Sequence, residues 1–563
     1  MNYNLKSLAT LTIAGSLAAS CTLLKDLNYT VTPSPLEMHG DSVRVKIDVT
    51  FPEKGIKKKA SVEITPILGT TALNSVTVIG EKATGNGTTI KYKPGGLVTY
   101  EDVLAYKPEF EVSELTVSGR VFKGGVEKMI TPSKKIADGT IITPLLVNKD
   151  FKVTSATDKH QTVREEIYTT QINYLKGKAD LTKTEVEKES WKNFEKWITD
   201  AKNNPKLKIK TITITGYASP EGEENKNNSL STDRANTGKT ATIDLAKKAN
   251  NDALQKEIYT LLGRGEDYEG FKVELEKSSM NQDEKQLVIR VLEMYKDPVQ
   301  RETEMRNMAK TFTYLDESVF PKLRRAEIKV VYETTGHTDE AYQTIAKSTP
   351  EKLNVEELLY AASLAKDNNE KALIYGSCEK LFSNDFRASN NLGVLLFSQG
   401  KINEAEAKFE KANSIKENPI TIGNLAAIAG NKGDFKKASD LLLKAGSSTE
   451  SNYNKGILAI VEGNYAAAIS NFAENKTFNK ALAQVLNKEF DAANATLNAS
   501  QDSNSAQGLY LKAIIASRTD KTDDAINALK NAIAKDASFK SKVQKDREFL
   551  KLNANQAFLD LVK

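Results

Sequence analysis

Cysteine is nearly absent from this chain: its 563 residues include two, Cys21 and Cys378. With Cys21 committed to the role argued below, no disulfide framework is available. Cys378 lies in an apolar helical stretch, where a lone cysteine serves packing more often than chemistry. Histidine is as scarce. His39, His160 and His337 stand far apart without metal-ligand spacing. No nucleophile elbow, phosphate loop or zinc motif occurs. The expectation is therefore no enzyme, no metal and no cofactor. A pair of acids poised in one cleft would be the exception, and none can be placed. A strong charge of one sign is also missing. The net charge of +5 is small for this length and gives no argument for nucleic acid as a partner. What remains is ordinary globular composition, 39% hydrophobic and 27% charged. The length calls for several domains.

The first residues break from that average. Met1-Asn-Tyr-Asn-Leu-Lys6 carries one positive charge, an apolar run extends from Leu8 to Ala19, and Ser20-Cys21 follow. A charged start, a short apolar run and small residues before a cut site define an export signal. The run of about 12 residues is too short to span ~30 Å of hydrocarbon. Leu17-Ala18-Ala19-Ser20-Cys21 resembles the loose lipobox of bacterial lipoproteins. The resemblance implies that residues 1–20 are a lipoprotein signal peptide, and that Cys21 is acylated (palmitate among its fatty acids) and becomes the new N-terminus. Two or three acyl chains anchor a protein stably where one would be marginal. The competing reading is a plain cleaved signal with an incidental cysteine. Thr22 to Asp26 contain a single acid. Surface-exported lipoproteins of the Bacteroidota usually show an acidic cluster there. The expected location is therefore the outer membrane with the body facing the periplasm, and surface exposure is the alternative.

Three stretches then follow different rules. In residues 21–150, Val43, Val45, Ile47 and Val49 alternate with Arg44, Lys46, Asp48 and Thr50, the mark of a half-buried strand. Ala60-Ser-Val62-Glu-Ile64 and Leu115-Thr-Val117 repeat it between turn signals such as Gly85-Asn86-Gly87 and Pro94-Gly95-Gly96. This predicts a β-sandwich, immunoglobulin-like but without the Cys–Trp–Cys core of antibody domains, acting as a spacer or docking body. Residues 155–335 mix strands and helices. Trp191, Phe194, Ile198 and Ala201 fall on one helical face, Leu207 to Thr215 reads as a strand, and Ser231 reads as the N-cap of the next helix. An inserted stretch of about 271–316 carries Leu287, Arg290-Val291 and Met294, which suggest an added helix. The strand Ala326 to Tyr332 closes a two-layer α/β unit. Residues 345–563 are helical and repetitive, with small and apolar residues recurring as Gly393, Gly400, Ala405, Phe409 and Ala412, then Ala426, Gly433, Ala438, Leu442 and Ala445, then Gly456, Gly463, Ala468 and Phe472.

The last pattern, with units of about 30 to 33 residues, resembles the tetratricopeptide repeat, a stack of helix pairs. The competing reading is a plain helical bundle. The middle stretch holds a second resemblance. In Gly216-Tyr-Ala-Ser-Pro-Glu-Gly222 and Asn227-Asn-Ser-Leu230-Ser231-Thr-Asp-Arg234-Ala235 the spacing resembles the peptidoglycan-associating C-terminal domain of the OmpA family, in a Bacteroidota lipoprotein variant. Gly265-Glu266-Asp267-Tyr268 and the closing Leu323-Arg324-Arg325-Ala326-Glu327-Ile328 resemble further elements of it. The resemblance implies a site for the stem peptide of the wall, in which a loop Asp and a helix Arg grip diaminopimelate. Arg234 stands at the Arg position, expected in the first turn of its helix where free N–H groups also favour an anion. Ser219 replaces the Asp, so Glu221 is the acid that could face the ammonium. Asn227, Ser231 and Gly222 complete the candidate set, and Arg324 and Arg325 the closing motif. The competing reading makes Asn227, Ser231 and Arg234 a brace in a domain that has lost its ligand.

The expected whole is multidomain: an N-terminal β-sandwich, a central α/β OmpA-like domain and a C-terminal all-α repeat solenoid. Two functions compete. One is an outer-membrane lipoprotein tethered to peptidoglycan. The other is an assembly, secretion or fimbrial scaffold that holds a protein partner in the groove of its repeats. A weaker feature, Asp41-Ser42-Val43, resembles the short O-glycosylation motif of Bacteroidota envelope proteins.

Overall fold

The computed structural model describes residues 23–255 and 258–563. The leader and Cys21 lie outside the described residues. Residues up to Thr157 and from Glu379 onward form one unit, and Asp158–Cys378 form a second.

Alternation sets up the first layers. Along Ser42–Phe51, Val43, Val45, Ile47, Val49 and Phe51 are buried while the residues between them face water. This strand pairs antiparallel with Asn28–Thr32, Met38–His39 and Gly96–Ala105. A seven-stranded sheet is built around Ala60–Leu68 and Glu114–Lys123, which pair antiparallel. The inner residues of both sheets, among them Val45, Ile47, Val62, Ile64, Val117 and Val121, share one core. Each such side chain contributes about 1.5–3 kcal/mol by leaving water. Ser42 of the candidate glycosylation motif starts the central strand, and its hydroxyl donates to the His39 carbonyl.

From Glu379 the first unit continues as antiparallel helix pairs: Phe386–Ser398 with Ile402–Ile415, Pro419–Asn431 with Phe435–Ala445, Thr449–Val461 with Tyr465–Phe472, Phe478–Leu486 with Phe490–Asn498, and Ala506–Arg518 with Thr522–Lys535. The recurring small residues sit where two helices touch. A Cβ built on Gly393 would come 2.6 Å from the Phe409 ring, and one on Gly456 equally close to Phe472. The strand-rich part joins the same unit. Glu37 pairs with Arg518 at 2.6 Å, and the Gly40 amide donates to the Tyr465 hydroxyl.

In the second unit four strands run in the order Val163–Asn173, Arg325–Thr335, Leu207–Ala218, Tyr259–Glu266. The last two are parallel and the other pairings antiparallel. The helices Glu189–Asn203 and Glu224–Lys248 pack on the sheet, with Trp191, Phe194, Ile198, Ala235, Ala241 and Leu245 in a common core. The insert departs from expectation. It is a small helical body rather than one helix, with its own core of Phe271, Leu275, Val288, Leu292, Met305 and Phe320. Its helix Gln282–Met294 buries Val288 and Leu292, whereas Leu287 and Met294 are exposed. The pair Val355–Leu364 and Asn368–Leu381 follows, and the unit ends within the second of these helices at Cys378.

Candidate functional site

Of the places where polar side chains gather in buried surroundings, two border a groove or a cavity. The first lies in the repeats. On the first helix of each of four successive pairs an asparagine points inward: Asn391, Asn424, Asn454 and Asn479, all nearly fully buried. An amide can accept with its oxygen and donate with its nitrogen at once. Each of these does both to the main chain of one residue in the stretch 146–157. Asn479 accepts from the Asn148 N–H and donates to its carbonyl, both at 2.8 Å. Asn454 does so at Lys152 (2.7 and 2.8 Å), Asn424 at Thr154 (2.7 and 2.8 Å) and Asn391 at Ala156 (2.8 and 2.9 Å). Asp150, between the first two, accepts from the Tyr453 hydroxyl at 2.8 Å. Asn390 braces the ladder by accepting from Asn424 and donating to the Thr154 carbonyl. Gln507 donates to the Leu146 carbonyl at 2.9 Å. Phe151 is buried against Gly430, where an added Cβ would lie 2.5 Å from its ring, and Leu146 and Val147 join the repeat core. The inner face expected to be free for a partner is thus covered by the chain's own residues.

The second place is a cavity of about 670 Å³ at the end of the strand Leu207–Ala218, lined by Lys176, Ser219, Glu221, Gly222, Asn227, Asp233 and Arg234 among others. Arg234 is 1% exposed. Its guanidinium donates to the carbonyls of Lys178 (3.0 Å), Tyr217 (2.8 Å) and Leu175 (3.4 Å), and it lies over the Tyr174 ring. Burial lowers its pKa to about 10, against the opposing pull of Glu221. The side chain remains charged at neutral pH. Ser219 is buried, and its hydroxyl accepts from Arg324 at 3.2 Å. Glu221 pairs with Arg324 at 2.9 Å, and Arg324 also meets Asp316 at 2.7 Å. The second carboxylate oxygen of Glu221 is buried with no hydrogen-bond partner among the described residues. Asn227 donates to the carbonyls of Ser219 and Gly222 and to Glu266, which folds the loop onto the helix. Burial raises the Glu266 carboxyl, with hydrogen bonds from Tyr268 and Asn227 opposing it.

Two expectations need correction. The helix begins at Glu224, so Arg234 lies in its third turn and not its first. Ser231 is no N-cap. It sits inside the helix, donates to the Asn228 carbonyl and accepts from the Gly265 amide at 2.9 Å, fastening the helix to the fourth strand. Glu221 is engaged on one side, where Arg324 holds one of its oxygens. Arg325 is apart from this cluster: it pairs with Asp267 at 2.7 Å and with Glu327, and stacks over Tyr217. Among the described residues no group of acids, histidines and cysteines has the geometry of a metal site, and no helix is long and apolar enough to cross a membrane.

The asparagine ladder escaped sequence reading, yet a signal exists. In each of the four pairs the asparagine stands two residues before a small one: Asn391-x-Gly393, Asn424-x-Ala426, Asn454-x-Gly456, Asn479-x-Ala481.

Among known families, the tetratricopeptide repeat matches residues 386–419. No curated protein matches the chain. Similar solved structures include YrrB, described as a TPR protein with an unusual peptide-binding site (18% identity over 29% of this chain and 92% of that one, TM-score 0.25). Another is PilF of Pseudomonas aeruginosa (14%, 39% and 97%, TM-score 0.28). A third is a tetratricopeptide repeat protein of Parabacteroides merdae (15%, 38% and 91%, TM-score 0.27). The family match and the helix pairing give the chain a C-terminal tetratricopeptide-repeat region beside an N-terminal strand-rich one. Such repeats are a scaffold for protein interaction.

Proposed function

We propose that this chain is an outer-membrane lipoprotein, held by acyl groups on Cys21 with its body in the periplasm. Its residues 155–335, an OmpA-like domain, take the stem peptide of peptidoglycan, and its repeats engage a protein partner. The wall-binding reading is supported above all by one observation: Arg234 and Glu221, of opposite charge, line the same cavity, and one Glu221 oxygen lacks a partner among the described residues. A stem peptide presents an ammonium and a carboxylate close together. Three of the five guanidinium N–H groups of Arg234 are spent on carbonyls. The others suit the ligand carboxylate. Glu221 serves the ammonium in place of the Asp that Ser219 replaces.

The test is sedimentation of the purified mature chain with isolated sacculi. Wild type is expected in the pellet. Glu221→Gln keeps the shape and an oxygen for Arg324 but removes the charge. It should weaken binding roughly tenfold or more, as loss of a charge-assisted hydrogen bond of about 1.5–3 kcal/mol requires. A wild-type chain that stays in the supernatant ends the wall-binding reading.

A second reading, a scaffold whose OmpA-like domain has lost its ligand, is favoured by the Arg324–Glu221 pair, which already neutralises the acid. Crosslinking in intact cells then recovers one stoichiometric partner, and deletion of the repeats abolishes it.

A further inference from the structure

Residues 148–157 make no backbone–backbone hydrogen bond among the described residues. Their main chain is held by side-chain amides at Asn148, Lys152, Thr154 and Ala156, as described above. Amides of this kind recognise an N–H and a C=O, which every residue but proline presents alike. Side-chain discrimination rests on the seat of Phe151 on Gly430, the buried position of Ala156, the packing of Val153 and of Leu146 and Val147 on the repeat core, and the bond from the Tyr453 hydroxyl to Asp150. Lys149, Lys152, Ser155 and Thr157 are exposed. No helix or strand has to be broken for residues 148–157 to leave the groove, and only the end of the short helical turn Thr143–Leu146, where the Val147 amide donates to the Pro144 carbonyl, gives way for Leu146 and Val147. Its departure returns the four amides to water, where they are solvated rather than stranded.

The geometry points to an exchangeable occupant: residues 146–157 are a tethered stand-in for an extended peptide of a protein partner, which enters the same groove by replacing them. The replacing segment is extended, with an aromatic residue for the Phe151 seat and a small residue five places later. This inference rests on the reading of the repeats as a partner-binding scaffold. The tether also sets the threshold. A segment fixed at both ends competes at an effective concentration of order millimolar. Stray peptides are therefore excluded, and only a partner present at high local concentration displaces it.

The probe is a fluorescein-labelled synthetic peptide of residues 145–157, titrated into the full chain and into a full-length variant whose residues 146–157 are a Gly-Ser stretch of equal length. The peptide is expected to bind the variant at least about tenfold more tightly than wild type, since the tethered competitor is gone. Asn424→Ala with Asn454→Ala in that variant should then reduce binding by a further tenfold or so, as two bidentate clamps are lost. A variant that is helical by circular dichroism yet does not bind the peptide overturns the proposal, and so does wild type binding equally well. Should the variant not fold, hydrogen exchange in wild type decides. The amides of Asn148, Lys152, Thr154 and Ala156 are expected to exchange through local opening, ahead of the helices Phe386–Ser398 and Thr449–Val461. Exchange only together with those helices makes the stretch a fixed part of the core and ends the proposal. Failure to crosslink a partner in cells counts against the scaffold reading alone and leaves the peptide titration readable.

Discussion

Arg234 is the largest fully buried side chain of the described residues. It therefore has two jobs that a mutation does not separate. Arg234→Ala strands the carbonyls of Leu175, Lys178 and Tyr217 and leaves a hole beneath Tyr174. The expected loss of stability, read by urea unfolding, is about 3–5 kcal/mol. Lysine does not rescue it, because a single ammonium does not reproduce a planar fork aimed at three carbonyls. A failure of Arg234→Ala to bind sacculi would report folding as much as recognition, and Glu221→Gln is the cleaner probe. Glu379 gives a prediction of another kind. Burial works to raise its pKa, but hydrogen bonds from Lys408, Ser389 and Lys411 outweigh that and hold it at about 2, below the ordinary 4.5. Its stabilisation is fully present above pH 4.5 and is lost as the pH falls from there through 2, at most about 3 kcal/mol in all. Thermal unfolding at pH 7, 4 and 3 should show a fall that Glu379→Gln flattens. Spacing alone grouped Asn227, Ser231 and Arg234 about the start of one helix. It did not show that the helix starts at Glu224, nor that Arg324, 103 residues from Glu221 in sequence, claims that acid. Local sequence contains no record of such distant ion pairs.

At the scale of elements, legibility followed periodicity. The alternation in Ser42–Phe51 and the Trp191, Phe194, Ile198 face of Glu189–Asn203 each encode a buried side with the period of their own structure. The strand Tyr259–Glu266 has no such period, with Gly263 and Gly265 closing a short run of strand formers, and it went unread. The groove segment was unreadable for a different reason: its structure is imposed by the side chains of other elements. Close crossings yield a direct test. Gly393→Val puts a branched side chain where even a Cβ meets the Phe409 ring at 2.6 Å. A cost of about 1–3 kcal/mol is expected, measured by chemical denaturation. At Gly376, where a Cβ meets nothing within 4 Å, the same approach of Gly→Ala should be neutral or stabilising by about 0.4–1 kcal/mol.

Across the molecule, the unit that combines the strand-rich part with the repeats depends on buried charge. Arg518 grips Glu548 and Glu37, which lie 30 and 481 residues away in the chain. Burial raises the Glu548 carboxyl while Arg518 opposes it. Arg518→Ala leaves two acids facing an unfilled space, and about 3–5 kcal/mol of stability should be lost. In Arg518→Ala with Glu548→Gln the penalty should shrink, and a double-mutant cycle measures by how much.

The same unit is interrupted: residues 158–378 are interpolated between its two halves. A chain that emerges from its N-terminus presents residues 146–157 long before the asparagines that receive them exist. The interpolated unit can finish folding while the outer one waits for its final residues. A chain arrested before Asn391 should therefore hold a finished middle and an exposed, protease-sensitive 146–157. Maturation would then register as a late loss of cleavage in that stretch, with no change in the middle unit.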